Sequence, residues 1–482
     1  MAHPNILWIC TDQQRFDTLG CYGNRWVRTP NLDRLAASGT LFERVYVQNP
    51  LCTPSRASFM TGRYPRTNRT RQNGQGIPED EVLVTKLLAS AGYTCGLAGK
   101  LHLSPCAPNV CKTQERRIDD GYSVFHWSHH PDDDWPAADY NQWLRECGLS
   151  HQRAPFPGSP YVQTSVPVEY HQTTWCADRA IDFMEERAGT GEPWLFSVNC
   201  YAPHHPFDPP EELLQRYLDR LPEIPLPNYV PGELKEKPAC QAINHRGAYG
   251  GQADLYPFAE MSAEDHRLIR AAYWAMCDLI DLQVGRMLQV LERTGQRENT
   301  LVVFMSDHGE MLGDHGIYLK GPFFYEPAIR VPLIMSWPSV VEANRRSRAL
   351  VELVDLSSTF LDASGLPQGA GMQGDSLWPL LKRQKPIERH RDDIYCEHYG
   401  TTHHKPGEFG DYATMVRTDR HKLVVVHGME LGELYDLQKD PAETHNLWHD
   451  PTHQSLKLKL MQRLCDRMAW TVDPLPGRQA NY

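Results

Sequence analysis

The chain of 482 residues is long enough to bury a large core, and its 41% hydrophobic and 23% charged content is that of an ordinary globular protein. A formal net charge of −11, with no basic stripe to offset it, argues against a nucleic-acid-binding protein. The 13 cysteines are scattered singly, without CxxC pairs or finger-like spacing, which argues against a disulfide framework and a zinc-finger module.

The amino-terminal apolar run, residues 6–10, is too short for a signal peptide and predicts the first strand of the fold. No stretch approaches the length of a membrane span, so we expect no membrane association. We therefore expect a cytoplasmic protein, and a leader removed from the chain would instead make it secreted or periplasmic.

Apolar runs that end in polar motifs recur along the chain and alternate with helical patterns. The predicted strands are residues 6–10, 41–47, 93–98, 194–200, 300–305 and 331–336, and the predicted helices are residues 82–90, 174–187 and 263–293. This alternation predicts a doubly wound α/β fold with a mostly parallel sheet flanked by helices, in which ligands gather at the carboxyl ends of strands. Residues 104–170 and 221–260, rich in Pro, are predicted to be long surface segments, and segments of that length are more often functional than idle.

The pattern of residue types along the chain changes after residue 381. Residues 382–391 form a charged linker, and short alternating runs follow at residues 413–418, 422–426 and 433–437. This pattern predicts a small antiparallel sheet. We therefore divide the chain into an N-terminal domain, residues 1–381, and a C-terminal antiparallel α+β subdomain, residues 392–482.

The most specific stretch is residues 51–63, Leu-Cys-Thr-Pro-Ser-Arg-Ala-Ser-Phe-Met-Thr-Gly-Arg. Pro54 suits a first helical turn, because its φ is fixed near the helical value and it has no N–H to leave unpaired. Cys52 would then lie at the positive end of a helix, one turn before Arg56, which favours an anion beside its side chain. Taken alone, Cys52 is equally explained as a buried residue at a helix start.

Asp12, Asp307 and His308 follow two different predicted strands. Carboxylate and imidazole groups bind divalent ions, so together with residue 52 they could hold one such ion. Taken singly, each group has an ordinary structural explanation: a helix cap for Asp12, a surface lysine for Lys100 or Lys320, and a loop pair for His204 with His205. For Trp127, Trp135 and Trp143, ordinary packing explains the residues at least as well as a sugar-stacking wall. His398, His403 and His404 are predicted to belong to a solvated loop rather than to the edge of a pocket.

The Cys-x-Pro-Ser-Arg motif resembles the signature of the sulfatases, in which the cysteine is oxidised to formylglycine. The resemblance covers nearly the whole chain and rests on further motifs: Asn5-Ile6-Leu7 with Thr11-Asp12-Gln13, Gly99-Lys100-Leu101-His102, Ala202-Pro203-His204, Ser306-Asp307-His308-Gly309, Gly316 to Lys320 with Arg330-Val331-Pro332, and Glu433-Leu434-Tyr435-Asp436-Leu437. The chain is thus similar to the sulfatase branch of the alkaline phosphatase superfamily. That similarity implies an alkaline phosphatase-like fold.

The resemblance also implies an activity, the hydrolysis of a saccharide or small-molecule sulfate monoester, with the formylglycine hydrate at position 52 as nucleophile. Implied metal-site residues are Asp12, Gln13, residue 52, Asp307 and His308. Implied catalytic residues are Arg56 and Lys100, which orient the nucleophile, His102, the base that expels sulfate, and His204 and Lys320, which assist the leaving oxygen. Implied substrate-binding residues are Asn73, Lys100, His204 and Lys320. A formylglycine-generating enzyme would be the maturation partner, and the oligomeric state stays open.

Two departures from the family pattern matter. Many members carry a second Asp where this chain has Gln13 and an Asn where it has His308, so Ca²⁺ is expected as the single ion, with Mn²⁺ or Mg²⁺ as alternatives. The Asp-Gln start and Gln72-Asn73 are similar to phosphonate monoester and phosphodiester hydrolases, which is the alternative activity. Those relatives use hydroxyl residues where this chain has Lys100 and His102, which favours a sulfatase. A third hypothesis is that the protein is a non-catalytic relative that binds an anion or a glycan.

Overall fold

The computed structural model describes residues 3–400 and 412–477, and His403 and His404, which were predicted to belong to a solvated loop, lie outside these ranges. The strands in the described residues are β1 (Asn5–Thr11), β2 (Thr40–Tyr46), β3 (Thr94–Gly99), β4 (Tyr122–Trp127), β5 (Ala154–Pro155), β6 (Gln163–Thr164), β7 (Trp194–Cys200), β8 (Thr300–Ser306), β9 (Arg330–Val331), β10 (Leu333–Ser336), β11 (Arg345–Glu352), β12 (Asp393–Tyr399), β13 (Tyr412–Thr418), β14 (His421–Val426) and β15 (Gly432–Asp436).

The helical segments range from single turns to 31 residues. They are α1 (Pro30–Ala37), α2 (Cys52–Thr61), α3 (Pro65–Asn68), α4 (Val84–Ser90), α5 (Asp139–Glu146), α6 (Gln172–Arg187), α7 (Glu211–Leu218), α8 (Ala239–His245), α9 (Ala248–Gly251), α10 (Ala263–Arg293), α11 (Glu326–Ile329), α12 (Asp355–Ala363), α13 (Trp378–Leu381) and α14 (Gln454–Trp470). None of these described helices is long and apolar enough to cross a bilayer.

The main sheet has the strand order β11-β2-β10-β8-β1-β7-β3-β4, with β9 pairing to β2. Its centre, β8-β1-β7-β3, is parallel throughout. All seven residues of β1 are buried, as expected of a strand covered by helices on both faces. Alternate β1 side chains enter two cores, Ile6 and Trp8 on the side of α2 and α12, and Leu7 and Ile9 on the side of α6 and α10. The predicted doubly wound, mostly parallel sheet is confirmed.

Part of the prediction for residues 104–170 was wrong, because β4 and α5 lie inside this supposed loop region. β4 is the edge strand of the main sheet and pairs parallel to β3. Its polar residues Ser123 and His126 interrupt the apolar run, which hid a strand whose edge position leaves some side chains in contact with water. Trp127 and Trp135 are buried, with ring centroids 6.0 Å apart, so they are packing residues rather than a sugar-stacking wall.

The predicted strand at residues 331–336 is divided in two by Pro332. Proline cannot donate to a sheet hydrogen bond, so the ladder breaks there. β9 pairs with β2, whereas β10 runs antiparallel between β8 and β2. The sheet is therefore mixed at this point.

The C-terminal strands form the predicted antiparallel sheet, ordered β12-β13-β14-β15. β12 was not predicted, and His398 on it is buried, which corrects its assignment to a solvated loop. Buried ion pairs join this region to the rest of the chain: Lys422 Nζ lies 3.0 Å from Glu326 Oε1, and Arg467 Nη2 lies 2.8 Å from Glu352 Oε1. The division into domains at residues 381 and 392 stays a prediction.

His171 couples the stability of the fold to pH. It is the N-cap of α6, and its Nδ1 accepts a hydrogen bond from the Thr173 amide at 3.1 Å. Burial lowers the pKa of His171 to about 3, against an unfolded value of ~6.5. Between these values the unfolded chain binds a proton that the folded chain rejects, so stability falls as pH falls.

We therefore expect His171→Asn, which keeps an N-cap acceptor and removes the titration, to flatten the acid loss of stability. The drop in unfolding free energy between pH 7.5 and pH 5.5 should shrink by ~1.4 kcal/mol, the integral for one group with an unfolded pKa near 6.5. Denaturant unfolding followed by circular dichroism at both pH values measures it. An equal drop in both proteins would show that another group takes up the proton.

Candidate active site

The sheet brings the predicted polar motifs together at one edge. Asp12 follows β1, Lys100 follows β3, Asp307 and His308 follow β8, and His204 lies shortly after β7. These four strands are neighbours and parallel, so their carboxyl ends meet at one place. Cys52 is the first residue of α2 and lies at the same place.

Asp12 is fully buried between two cations. Lys100 Nζ lies 2.5 Å from Asp12 Oδ2, and Arg56 Nη2 lies 3.5 Å from the same oxygen. Burial alone would raise the pKa of Asp12, but Lys100, Lys320 and Arg56 outweigh it and hold that pKa well below its usual range. Asp12 is therefore a carboxylate at neutral pH, with Oδ1 directed toward Cys52.

Arg56 connects α2 to two strand ends. Its Nε donates to Asp307 Oδ2 at 2.8 Å, and its Nη1 donates to the Lys100 carbonyl oxygen at 2.8 Å. Asp307 Oδ1 accepts from the backbone amides of Gln13 and His308 at 3.0 and 2.9 Å. These contacts fix the positions of Asp307 and of the start of α2 before any ligand binds.

The Cys52 thiol is buried at the N-terminus of α2, next to three functional groups. Its Sγ lies 3.0 Å from His308 Nε2, 3.2 Å from Lys320 Nζ and 3.7 Å from Asp12 Oδ1. Burial and Asp12 would raise the pKa of Cys52, but Lys100, Lys320 and His308 prevail and lower it to about 7. The surroundings therefore favour negative charge on residue 52.

Hydrogen bonding orients the ring of His308. Its Nδ1 lies 2.9 Å from the Gly309 carbonyl oxygen, which can only accept, so Nδ1 carries a proton and Nε2 is the nitrogen that a metal ion would bind in place of a proton. Nε2 lies 3.6 and 3.7 Å from Oδ1 of Asp12 and Asp307. Asp12, Cys52, Asp307 and His308 each offer one donor atom, all within 4.8 Å of one another. Two carboxylates and an oriented imidazole fit a divalent ion.

Lys320 closes the opposite side of the pocket. Its Nζ donates to Gln13 Oε1 at 2.6 Å and to His204 Nε2 at 2.7 Å. His204 Nδ1 lies 2.5 Å from the His205 carbonyl oxygen, so this imidazole carries its proton on Nδ1 and accepts from Lys320. Burial, Lys320 and His205 hold the pKa of His204 well below its usual value, which keeps it neutral.

Gln13 was predicted to lie beside the metal. Its side-chain oxygen accepts from Lys320, and its side-chain nitrogen donates to Glu310, a residue that the sequence analysis missed. Glu310 Oε1 also accepts from the backbone amide of Leu312 at 2.8 Å. Its position three residues after Asp307 is the sequence feature that could have indicated its place in the site. Metal ligation by Gln13 stays a prediction.

His102 is buried next to Lys100, with a backbone φ of 56°. Its amide donates to Glu115 Oε2 at 3.0 Å, and Glu115 is a second residue that the sequence analysis missed. Burial, Lys100 and Arg56 hold the pKa of His102 well below its usual value. The imidazole is thus neutral at neutral pH and able to accept a proton, as a catalytic base must be.

Asn73 lies beside α2 rather than among the buried residues around Cys52. It is exposed, and its Oδ1 accepts from the Thr53 amide at 2.9 Å, one of the N–H groups that a helix start leaves unpaired. Asn73 therefore supports the start of α2, and its predicted contact with substrate stays a prediction.

Comparisons with known proteins agree with this geometry. The family model described as Sulfatase matches residues 4–366, and the model described as N-sulphoglucosamine sulphohydrolase, C-terminal, matches residues 313–469. The uncharacterized sulfatase YidJ of Escherichia coli K12 is 31% identical, over 99% of this chain and 90% of that protein. An N-acetylglucosamine-6-O-sulfatase of Bacteroides thetaiotaomicron is 27% identical, over 96% of this chain and 85% of that protein.

A solved structure, the phosphonate monoester hydrolase of Agrobacterium radiobacter, superposes with a TM-score of 0.83 at 27% identity, covering 98% of this chain and 97% of that one. The family match spans most of the chain and includes α2 and every strand end of the site. The fold is therefore alkaline phosphatase-like, and the chain belongs to the sulfatase family of sulfuric ester hydrolases.

Proposed function

We propose that this protein hydrolyses organic sulfate monoesters through a formylglycine at position 52. The observation that carries the proposal is the position of Cys52, at the start of α2 between Lys320 Nζ at 3.2 Å and His308 Nε2 at 3.0 Å. The sulfur marks where an oxygen of the modified residue would lie. Each step of ester hydrolysis has a candidate group within this cluster or next to it.

The charges around residue 52 favour a singly charged substrate. Three cations, Arg56, Lys100 and Lys320, balance three carboxyl groups, Asp12, Asp307 and Glu310. Burial raises the pKa of Glu310, but hydrogen bonds from Gln13 and from two backbone amides favour its ionised form. A divalent ion held by Asp12, Asp307, His308 and residue 52 would add two positive charges and lower the pKa of a hydroxyl on residue 52. A sulfate monoester with one negative charge and an ionised hydroxyl then restores neutrality, whereas a dianionic phosphate monoester would exceed it. Ca²⁺ is the proposed ion, with Mn²⁺ or Mg²⁺ as alternatives.

In the first step, one hydroxyl of the formylglycine hydrate, ionised beforehand by loss of its proton to solvent, attacks sulfur, and the ester oxygen leaves with its bonding electrons. Negative charge develops on that oxygen, and nearby ammonium groups stabilise it. Lys320 is the proton donor on this side, because His204 offers its lone pair to Lys320 and holds its own proton against the His205 carbonyl. The alcohol departs, and sulfate stays bound to residue 52.

In the second step, a base removes the proton of the remaining hydroxyl on residue 52. The aldehyde re-forms as the bond to sulfate breaks, and water then restores the hydrate. His102 is the proposed base, since it is neutral and lies on the loop that follows Lys100. Lys100 holds Asp12 throughout and keeps that carboxylate ionised.

A phosphonate monoester or phosphodiester hydrolase is the alternative, favoured by the likeness to the Agrobacterium enzyme. Both classes of substrate share one negative charge with sulfate monoesters, so charge alone does not separate them. The presence of Lys100 and His102, rather than hydroxyl residues, favours sulfate. The relative from Bacteroides is named for N-acetylglucosamine-6-O-sulfate, so a sulfated saccharide belongs among the substrates to be tested.

Removing one metal ligand should remove the ion and the activity together. Asp307→Ala deletes a carboxylate that Arg56 and two amides hold in place, so we expect loss of the bound divalent ion and at least a ~100-fold loss of turnover. Elemental analysis and kinetic assays measure both, with circular dichroism to check the fold. Asp419→Ala, which deletes an exposed carboxylate paired with Arg44, is the control and should change neither. Active wild-type enzyme without a divalent ion would contradict the ligand set.

The modification of Cys52 should be visible by peptide mass spectrometry of active protein, as the mass change of replacing CH₂SH by CHO. Cys52→Ala should abolish turnover while the protein stays folded, because a small residue is tolerated at a helix start. Cys147→Ala, at an exposed cysteine, is the matched control and should keep full activity. Fully active protein that contains only unmodified Cys52 would refute the proposed nucleophile.

The choice between the two activities rests on one kinetic comparison. Aryl sulfate, aryl phosphonate monoester and aryl phosphodiester with the same leaving group are assayed on one preparation. We expect kcat/KM for the sulfate to be at least tenfold higher, equivalent to ~1.4 kcal/mol of transition-state preference. A tenfold preference for either phosphorus substrate would establish the alternative function.

A further inference from the structure

A second cluster of donor atoms lies beside the proposed active site. His102, Cys106 and His129 each offer one donor, and these atoms all lie within 4.8 Å of one another. His102 and His129 are only 6% and 4% exposed, and Cys106 is half-buried. We call these three residues the His-Cys-His cluster.

The two imidazoles have unused nitrogen atoms. The Nδ1 atoms of His102 and His129 are both buried without a hydrogen-bond partner in the described part of the chain. Their rings pack edge to face, with centroids 4.4 Å apart, so both approach one small volume. A buried polar atom without a partner is unfavourable, and a bound cation would supply a partner. Burial also keeps both imidazoles neutral, the form that binds metals.

We infer that the His-Cys-His cluster is a binding site for a transition-metal cation of the Zn²⁺ class, separate from the carboxylate-rich site around Cys52. Two imidazoles and a thiolate suit Zn²⁺, whereas the two carboxylates of the other site suit harder ions. Burial and Glu115 raise the pKa of the Cys106 thiol, so binding would replace its proton with the metal and release that proton.

The distances allow such a site with a small movement. Donor atoms around tetrahedral Zn²⁺ lie ~3.3–3.6 Å apart, given metal–ligand bonds of 2.0–2.3 Å. Since no two donor atoms of the cluster are more than 4.8 Å apart, the contraction needed is at most ~1.5 Å. Cys106 lies in an irregular segment between β3 and β4, where the backbone has no sheet pairing to resist that shift. Three protein ligands would leave the fourth position open to water.

Occupation of this site has a consequence that rests on the proposed function. A cation bound to His102 would occupy the imidazole that serves there as the base for sulfate release. Zn²⁺ should then inhibit turnover even when the ion at Asp12 and Asp307 is in place. The cluster would make hydrolysis sensitive to free zinc.

The site itself is tested with Co²⁺ as a spectroscopic probe, which needs no turnover. The full-length Cys52→Ala variant is used, because it removes the thiol of the other metal cluster. A phosphine reductant keeps Cys106 and its hydrogen-bonded neighbour Cys111 as thiols. We expect a near-ultraviolet thiolate-to-cobalt charge-transfer band on titration. The band should disappear with added Cys106→Ser and remain with added Cys111→Ser, the matched control from the same segment. His129→Gln should weaken Co²⁺ binding at least tenfold.

A band that persists in Cys106→Ser, or no band in Cys52→Ala, would overturn the proposed site. Zn²⁺ inhibition of otherwise wild-type enzyme then tests the consequence. Cys106→Ser should raise the Zn²⁺ concentration for half-inhibition at least tenfold, with each rate normalised to the same variant without Zn²⁺. If the Co²⁺ band behaves as expected and Zn²⁺ does not inhibit, the site stands and the role of His102 in the proposed function is contradicted.

Discussion

The structure depends on the balance of buried charge around the start of α2. Arg56, Lys100 and Lys320 are almost completely buried, which is costly for a cation unless carboxylates and hydrogen-bond acceptors surround it. Arg56 meets this condition through Asp307, Asp12 and the Lys100 carbonyl, which belong to three different strand ends. The contacts that offset the cost of burying these cations also link the ends of β1, β3 and β8 at the pocket. Stability and site geometry therefore have one cause.

The cations also determine the state of the neighbouring histidines. Burial and the positive charges of Lys100 and Lys320 keep His102 and His204 neutral. Backbone carbonyls then choose the tautomer, since the His205 carbonyl fixes the proton of His204 and the Gly309 carbonyl fixes that of His308. An imidazole that binds a metal or accepts a proton needs a free lone pair, and the backbone supplies it by this orientation.

The sequence predicted which polar residues the fold brings together, because they follow parallel strands, and their roles stay predictions. Adjacent parallel strands end at one edge, so motifs far apart in the chain had to meet once the strands were recognised. The hydrophobic periodicity of the sequence gave no comparable indication of β4, because its edge position permits polar residues. It also gave none of the break at Pro332, because the division into β9 and β10 depends on which strands they pair with. Glu310 and Glu115 were missed for a related reason. Their roles are hydrogen bonds to Gln13 and to the His102 amide, which depend on loop conformation rather than on residue spacing.

Gln13 shows why the departure from the common family pattern is chemically consistent. A second carboxylate at position 13 would face Glu310 with like charge, a repulsive arrangement in a buried site. An amide instead donates to Glu310 and accepts from Lys320, so one neutral side chain links an anion to a cation. An amide at position 13 thus adds no negative charge beside Asp12 and Asp307. Under the proposed function, the metal site would then contain one carboxylate fewer, and the pocket would keep more of the positive potential that attracts a singly charged ester.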